Sequence, residues 1–504
     1  MEQFYREWFN NSKYWFNQNN DFDNYLTNTY ENLIDSYNNT NKSIYGILIY
    51  DQLTRHYYRK EYANHIITYF NRKALELAVK EIDNLDNYEY NEWMFIILVF
   101  RHTNEKKHLM LAMNHAWKRG TKSFLKATYN RANFNEELEF YDCSKDYYNY
   151  YNFTNINILE FYPNEKIRIE PLEYIGNYSK LITTDYNNPI IVSLSGGVDS
   201  VSCLYSMVKL YGSHKVVAVH INYNNREETK YEVNYLLWLC NKLKIKLYVR
   251  TIYEINREQS INNDMREVYE NYTKRVRFNS YRKVNELENG KGNPIVILGH
   301  NKDDCMENIL TNLAYKNKYE NLNGIEISML IDNINFYRPL IEVLKKDIYK
   351  YAINHNLPYL KNSTPIWCQR GKIRTSVIPT LEKWDKRIID GLFNMSKILK
   401  DLHINLYQTV NATFNNKNEI NINSLNTSFL YWKYGIYKLY SFYPSNKSLN
   451  CLIDRLKLFK ENFRYKEINK KTKIIINKDI YIILWKSKKD NEMVYEFIID
   501  NKDN

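Results

Sequence analysis

Ile190-Ile191-Val192-Ser193-Leu194 runs directly into Ser195-Gly196-Gly197-Val198-Asp199-Ser200, and the stretch from Val201 to Lys209 follows. A short apolar run ended by a Gly-rich turn and followed by a mostly apolar stretch predicts a buried strand, a tight turn and a helix. Such a turn aims backbone N–H groups, with the hydroxyls of Ser195 and Ser200, at a helix amino terminus, where an anion is favoured. Gly196 and Gly197 permit close backbone approach, and Asp199 is placed to hold magnesium or to orient a triphosphate. No lysine follows the glycines, so this is not a Walker loop. A Gly-Gly turn alone reads equally well as a strand-to-helix turn with an N-cap. The whole hexapeptide behind an apolar strand favours a nucleotide seat made by Ser195, Gly196, Gly197, Val198, Asp199 and Ser200.

The same alternation continues downstream through Val216-Val217-Ala218-Val219-His220-Ile221, Lys246-Leu247-Tyr248-Val249 and Ile295-Val296-Ile297-Leu298. Amphipathic stretches such as Tyr231 to Leu243 separate these runs, which implies a parallel sheet covered on both faces. We expect a doubly wound, parallel-sheet α/β domain over residues 189–385. Residues 1–145 read as an all-helical domain: Ile44 to Tyr50, Ala74 to Val79 and Trp93 to Leu98 are apolar clusters in a stretch without proline. Residues 146–188, dense in Tyr and Asn, read as a linker. Residues 386–504 read as a mixed α+β appendage, with strand-like runs such as Ile480 to Trp485 and Val494 to Ile499.

The chain has 504 residues, with 70 Lys and Arg against 58 Asp and Glu, a net charge of +12. That length calls for several domains, and the charge favours a polyanionic partner, although a solvated basic surface reads as well. Because 48 residues are tyrosine, aromatic-basic runs such as Tyr57-Tyr58-Arg59-Lys60 arise by composition and are weak signs of RNA stacking. Six single cysteines form no pair with metal-site spacing, which implies reduced thiols. The amino terminus lacks the build of a signal peptide and the run Trp93 to Phe100 is far short of a bilayer span, so a cytoplasmic protein without a membrane anchor is expected.

The Ser195 to Ser200 hexapeptide resembles the PP-loop ATP pyrophosphatases, which cleave ATP between its α and β phosphates and commonly pass AMP to a substrate oxygen. Further segments resemble, in order, the tRNA(Ile)-lysidine synthetases within that superfamily. His220-Ile221-Asn222-Tyr223-Asn224-Asn225-Arg226-Glu227-Glu228 looks like H-V-N-H-x-L-R-x-E, and Thr273-Lys274-Arg275-Val276-Arg277-Phe278 like A-R-x-x-R-Y. Gly299-His300-Asn301-Lys302-Asp303-Asp304-Cys305-Met306-Glu307-Asn308 looks like G-H-x-x-D-D-Q-x-E-T. Arg338-Pro339-Leu340 and Arg370-Gly371-Lys372-Ile373-Arg374 look like R-P-L and R-N-R-I-R.

The resemblance implies ATP and magnesium, with tRNA and free lysine as partners. AMP would be placed on the C2 oxygen of the wobble cytidine, and the lysine amine would displace it. It implies catalytic roles for Asp199, His300, Asp303, Asp304 and Glu307, with magnesium near Asp199 and Asp303. Arg226, Arg275, Arg277, Arg370 and Arg374 become candidates for tRNA phosphates or the substrate, since guanidinium forks suit bidentate phosphate contact. Blander readings stand beside these. Asp303 or Asp304 caps the following helix, His300 is a satisfied histidine at a strand end, Glu307 is an exposed charge, and any one Arg is a solvated side chain. Asn362 stands where the family has an acid, Tyr223 where it has a second His, Cys305 where it has Gln, and Gly371 where it has Asn. These departures leave open a tRNA-thiolating enzyme, a small-molecule amidating synthetase or an inactive RNA-binding protein.

Tyr50-Asp51-Gln52-Leu53-Thr54-Arg55-His56 resembles the L-D-Q-F-x-R-N signature of an uncharacterised group of helical proteins with a tetratricopeptide-like fold. Trp15-Phe16, Asp21-Phe22-Asp23 and, loosely, His102-Thr103-Asn104 extend the match across about residues 1–110. The resemblance implies a helical fold, read as a docking or stabilising module.

Overall fold

The computed structural model describes residues 1–17, 19–38, 42–58, 64–132, 134, 137–144, 174–179, 181, 188–225, 229–314, 324–360, 369–414, 420–422, 428–462, 465–476, 480–489 and 492–501. It divides into two compact units, Met1–Lys302 with Glu326–Ser363 and Asp303–Ile325 with Thr364–Asn504.

In the first unit the amino-terminal region is helical, as its clusters predict. The helix Tyr90–His102 begins with a reciprocal capping box between Glu89 and Glu92, and every residue from Trp93 to Arg101 is buried. A helix buried on all sides has no polar stripe, which is why its sequence reads as a plain apolar run. The cluster after Ser43 starts as an α-helix and widens into a π-helical turn at Leu48–Leu53. The expectation of helix throughout 1–145 fails at Leu138–Tyr141, a strand.

That strand, β1, joins β2 (Ile190–Ser193), β3 (Val216–Asn222), β4 (Lys246–Thr251), β5 (Ile295–Ile297), β6 (Ser328–Ile331) and β7 (Ile334–Tyr337) in one sheet ordered β1-β4-β3-β2-β5-β7-β6. The five central strands are parallel. Both edges are antiparallel, so the expected parallel sheet is mostly parallel with an antiparallel strand at each edge. One edge strand is a hairpin partner: Asp332 and Asn333 between β6 and β7 both have positive φ, the geometry that closes a two-residue turn. The other is fed by the helical region, with no crossover to impose parallel pairing.

Helices α1 (Val198–Tyr211), α2 (Thr229–Leu243) and α5 (Lys345–Asn354) cover one sheet face. On that face Val192, Ala218 and Ile297 share a core with Leu204, Leu236 and Ile348. Helix α3 (Arg266–Leu287) lies on the opposite face, where Ile191, Val219 and Val296 join a core that continues into Trp8, Phe95 and Leu109 of the amino-terminal helices. The helical region is therefore packed on the sheet through one continuous core. Helix α4 (Lys302–Ala314) follows β5.

Most of the expected linker lies outside the described residues. Its described piece is packed: Tyr178 and Leu181 are buried in the α1-side core, and Asn177 N–H donates to the Pro339 carbonyl at 2.9 Å. The second unit combines helices with an antiparallel sheet ordered β8 (Ile420–Ile422), β11 (Glu492–Asn501), β10 (Ile480–Lys489), β9 (Thr472–Ile475). Its core includes Phe414, Trp432, Leu456, Ile482 and Leu484. Asp303–Ile325 and the residues from Thr364 onward group with this unit, whereas the sequence reading placed them with the α/β domain up to 385.

Two residues of the recognised motifs are bonded to the protein's own backbone. Arg275, expected at RNA, donates instead to the backbone carbonyls of Asn130 at 3.0 Å, Ala132 at 2.9 Å and Tyr129. These are carbonyls at the end of the helix Lys122–Arg131, where a cation is favoured. Arg275→Ala should lower unfolding free energy by about 2 kcal/mol, checked by urea denaturation. His220, buried near the end of β3, lies 2.8 Å from the Leu194 carbonyl through Nδ1, and burial pushes its pKa down to about 4. Folded His220 stays neutral while the unfolded residue protonates near 6.5. Its stabilisation is therefore complete above that pH and is lost as pH falls toward 4. Urea midpoints measured from pH 7 to pH 4 should fall less steeply in His220→Gln than in the unsubstituted protein.

Candidate functional site

The loop between β2 and α1 lies where the sheet changes winding direction, since β2 pairs with β3 on one side and β5 on the other. In open α/β sheets that switch point forms a crevice beyond the carboxyl ends of the strands. Gly196 has φ +85, and a Cβ there would stand 2.7 Å from Leu360 Cδ1, so only glycine suits the position. Leu360 N–H donates to the Gly196 carbonyl at 2.9 Å and fastens the loop.

The N-cap position of α1 is Gly197, and no side chain caps the helix. Val201 N–H to the Gly197 carbonyl, at 3.1 Å, is the first bond of the helix. The N–H groups of Val198, Asp199 and Ser200 therefore lack acceptors within it. The hexapeptide is thus a strand-to-helix turn with Gly197 as its N-cap, and its N–H groups, uncapped by any side chain, favour an anion. The serines divide the work. Ser200 is buried, accepts from Ser195 N–H at 3.2 Å and donates to the Gly197 carbonyl at 3.0 Å, so it shapes the loop, whereas Ser195 is exposed.

Asp199 accepts from Asn301 Nδ2 at 2.9 Å and forms an ion pair with Lys345. Gly299 makes this approach feasible, because a Cβ there would stand 3.0 Å from the Asp199 carbonyl carbon and from Ser200 N. Asn301 falls within a recognised motif, but at an unspecified position of it. Lys345, the first residue of α5, is one lysine among many, and its only sequence cue is its place after Arg338-Pro339-Leu340. His300 Nδ1 accepts from Arg338 Nε at 3.3 Å, which leaves the ring proton on Nε2. Arg338 is itself buried and donates to the Glu326 carbonyl at 2.9 Å.

In the second unit Arg374 meets two carboxylates, Glu307 at 2.7 Å and Asp304 at 3.4 Å. Residues of two separate motifs are thus brought together, with Glu307 buried rather than an exposed charge. Asp303 and Asp304 lie in the first turn of α4, where acidic groups favour the helix amino terminus. Arg277 is half-buried and its guanidinium lies 5.8 Å from the Phe278 ring centre. Arg226 lies outside the described residues, as do Asn362 and the side chain of Arg370. Among the described residues no group of three or more His, Cys, Asp or Glu is gathered to hold a metal. Asp199, assigned to magnesium from sequence, is paired with the Lys345 ammonium, so the protein residues alone do not fit a magnesium site. No helix among the described residues is long and apolar enough to cross a membrane.

Residues 172–381 match the family described as PP-loop domain, and residues 4–147 match the family of bacterial proteins of unknown function DUF924. A tRNA(Ile)-lysidine synthase from Mycoplasma mycoides is 25% identical over 243 residues, covering 44% of this chain and 57% of the relative. The tRNA(Ile)-lysidine synthase of Wigglesworthia glossinidia brevipalpis is 28% identical over 245 residues, covering 46% and 58%. The chain spans about half the length of the curated relatives it matches. Among solved structures, the U34-tRNA thiolase from Methanococcus maripaludis aligns with a TM-score of 0.35 and 17% identity, over 42% of this chain and 73% of that one. Residues 172–381 thus form a PP-loop domain distantly related to the tRNA(Ile)-lysidine synthases, and a DUF924 domain precedes it at residues 4–147.

Proposed function

We propose that this protein is an ATP-dependent tRNA-modifying ligase that joins lysine to C2 of the wobble cytidine of tRNA(Ile). The observation that carries the reading is the uncapped amino terminus of α1 at Gly197, with Asp199 and Lys345 beside it. Motif order and the lysidine synthase relatives supply the RNA and the amine.

In the first step the cytidine O2 attacks the α-phosphorus of ATP, and pyrophosphate leaves. Negative charge grows on the leaving oxygens, where fixed N–H donors act without reorganising. The N–H groups of Val198, Asp199 and Ser200 supply them, and Lys345 adds a positive charge held in place by Asp199. His300, proton on Nε2, is the donor assigned beside them. In the second step the lysine nitrogen bonds to C2, the C2–O2 bond breaks, AMP departs with that oxygen and the amine gives up a proton. Asp304 and Glu307, steadied by Arg374, are the carboxylates assigned to that amine.

The protein incubated with Mg-ATP, labelled lysine and a tRNA carrying a CAU anticodon should release pyrophosphate and place label in the RNA. Pyrophosphate without label would discard the lysidine product and retain the ATP site; neither signal across several tRNAs would leave an RNA-binding protein that retains the fold. Asp199→Asn should abolish pyrophosphate release while tRNA binding by filter assay is little changed. Lys345→Met should slow release about a hundredfold, the scale of one lost electrostatic donor; turnover near the unsubstituted rate would remove Lys345 from the mechanism.

A further inference from the structure

The ATP reading leaves aside the amino-terminal signature, whose residues converge. Asp51, fully buried on the π-helical turn Leu48–Leu53, is surrounded by donors. His102 Nδ1 lies 2.8 Å from one carboxylate oxygen and 2.9 Å from the other, Gln52 Nε2 donates at 2.5 Å, and Arg55 Nε and Nη2 donate at 3.2 and 3.1 Å. Arg55 Nη2 also donates to Asn71 Oδ1 at 2.8 Å. The single carboxylate is therefore saturated. Two further arginines stand in its field, Arg101 and Arg131.

Arg101 is 7% exposed, its guanidinium lies over the Phe124 ring at 5.1 Å, and no acceptor among the described residues takes a hydrogen bond from it. Burial, with Arg131 next, pushes its pKa down to about 10. A buried guanidinium without an acceptor, beside like charges, is costly in the free protein. Among the described residues, three arginines against one carboxylate leave a local excess of positive charge, and guanidinium groups pair bidentately with phosphate oxygens. His102 adds a polar handle of opposite sense. Its Nδ1–H faces Asp51 and burial holds its pKa low, so Nε2 carries a lone pair with no partner among the described residues.

We propose that Arg55, Arg101 and Arg131 form a phosphate-binding site in the helical domain, in which His102 Nε2 accepts an O–H of the ligand. The phosphate is either inorganic or the end of a small monoester, and the site is independent of the ATP loop.

The test is hydrogen–deuterium exchange on the full chain with inorganic phosphate, ribose 5-phosphate or sulfate. Phosphate should slow exchange in peptides covering Leu48–Tyr57 and Tyr90–His102, and tighter protection by ribose 5-phosphate would identify a monoester as the source. Sulfate has no proton to give His102 at neutral pH, so it should protect less. Arg101→Met should abolish this protection and the exposed Arg131→Gln should weaken binding about tenfold, while any protection of Ser195–Ser200 persists. Two results would overturn the site: no protection of the helical peptides at millimolar phosphate, or equal protection in Arg101→Met and the unsubstituted chain. Equal protection by sulfate would overturn the role of His102. Because the readout is local to the helical domain, failure here is distinguishable from failure of the ATP site.

Discussion

Strands β2 and β5 are hydrogen-bonded neighbours although they are far apart in sequence, and the site depends on that pairing. Their carboxyl ends deliver two loops to one place, Ser195–Ser200 from the first and Gly299-His300-Asn301 from the second. The bond between Asn301 and Asp199 joins those loops directly. A third segment, Leu360, closes on the Gly196 carbonyl from a parallel bridge to Gly197. Without this convergence the helix amino terminus would still attract an anion. It would not have Lys345 and Asp199 fixed beside it.

The α/β alternation was legible because β2, β3, β4 and β5 are buried on both faces and so read as short apolar runs bounded by polar turns. The edges were harder. β1 is only partly buried, which leaves a weak apolar pattern, and the β6–β7 hairpin turns on Asp332-Asn333, a pair common throughout an Asn-rich chain. The nucleotide loop was legible as a contiguous motif. Lys345 was not, because its significance comes from tertiary pairing with Asp199 rather than from spacing. The carbonyl contacts of Arg275 were illegible for a related reason: a guanidinium that binds helix-end carbonyls and one that binds phosphate are the same letter in a sequence, and only the placement of Tyr129, Asn130 and Ala132 shows the former.

The helical region, read from sequence as a docking or stabilising module, is packed onto the sheet. Its core runs without a break onto the sheet face lined by Ile191, Val219 and Val296, and Tyr129 reaches across to the Glu254 carbonyl at 2.7 Å. Separation would therefore expose apolar surface on both sides, at roughly 25 cal/mol for each square ångström. That cost is a physical reason for the two to remain on one chain, whatever each binds.

The shared core also bears on the order of events during synthesis. The amino-terminal helices leave the ribosome before the sheet, whose face that covers them is complete only after β7, and β1 waits for β4 to emerge before it can pair. For that interval the growing chain carries an apolar helix surface and an unpaired strand edge, features that attract chaperones and favour misassembly. Residues made before the sheet are thus among those whose final burial depends on partners made after them.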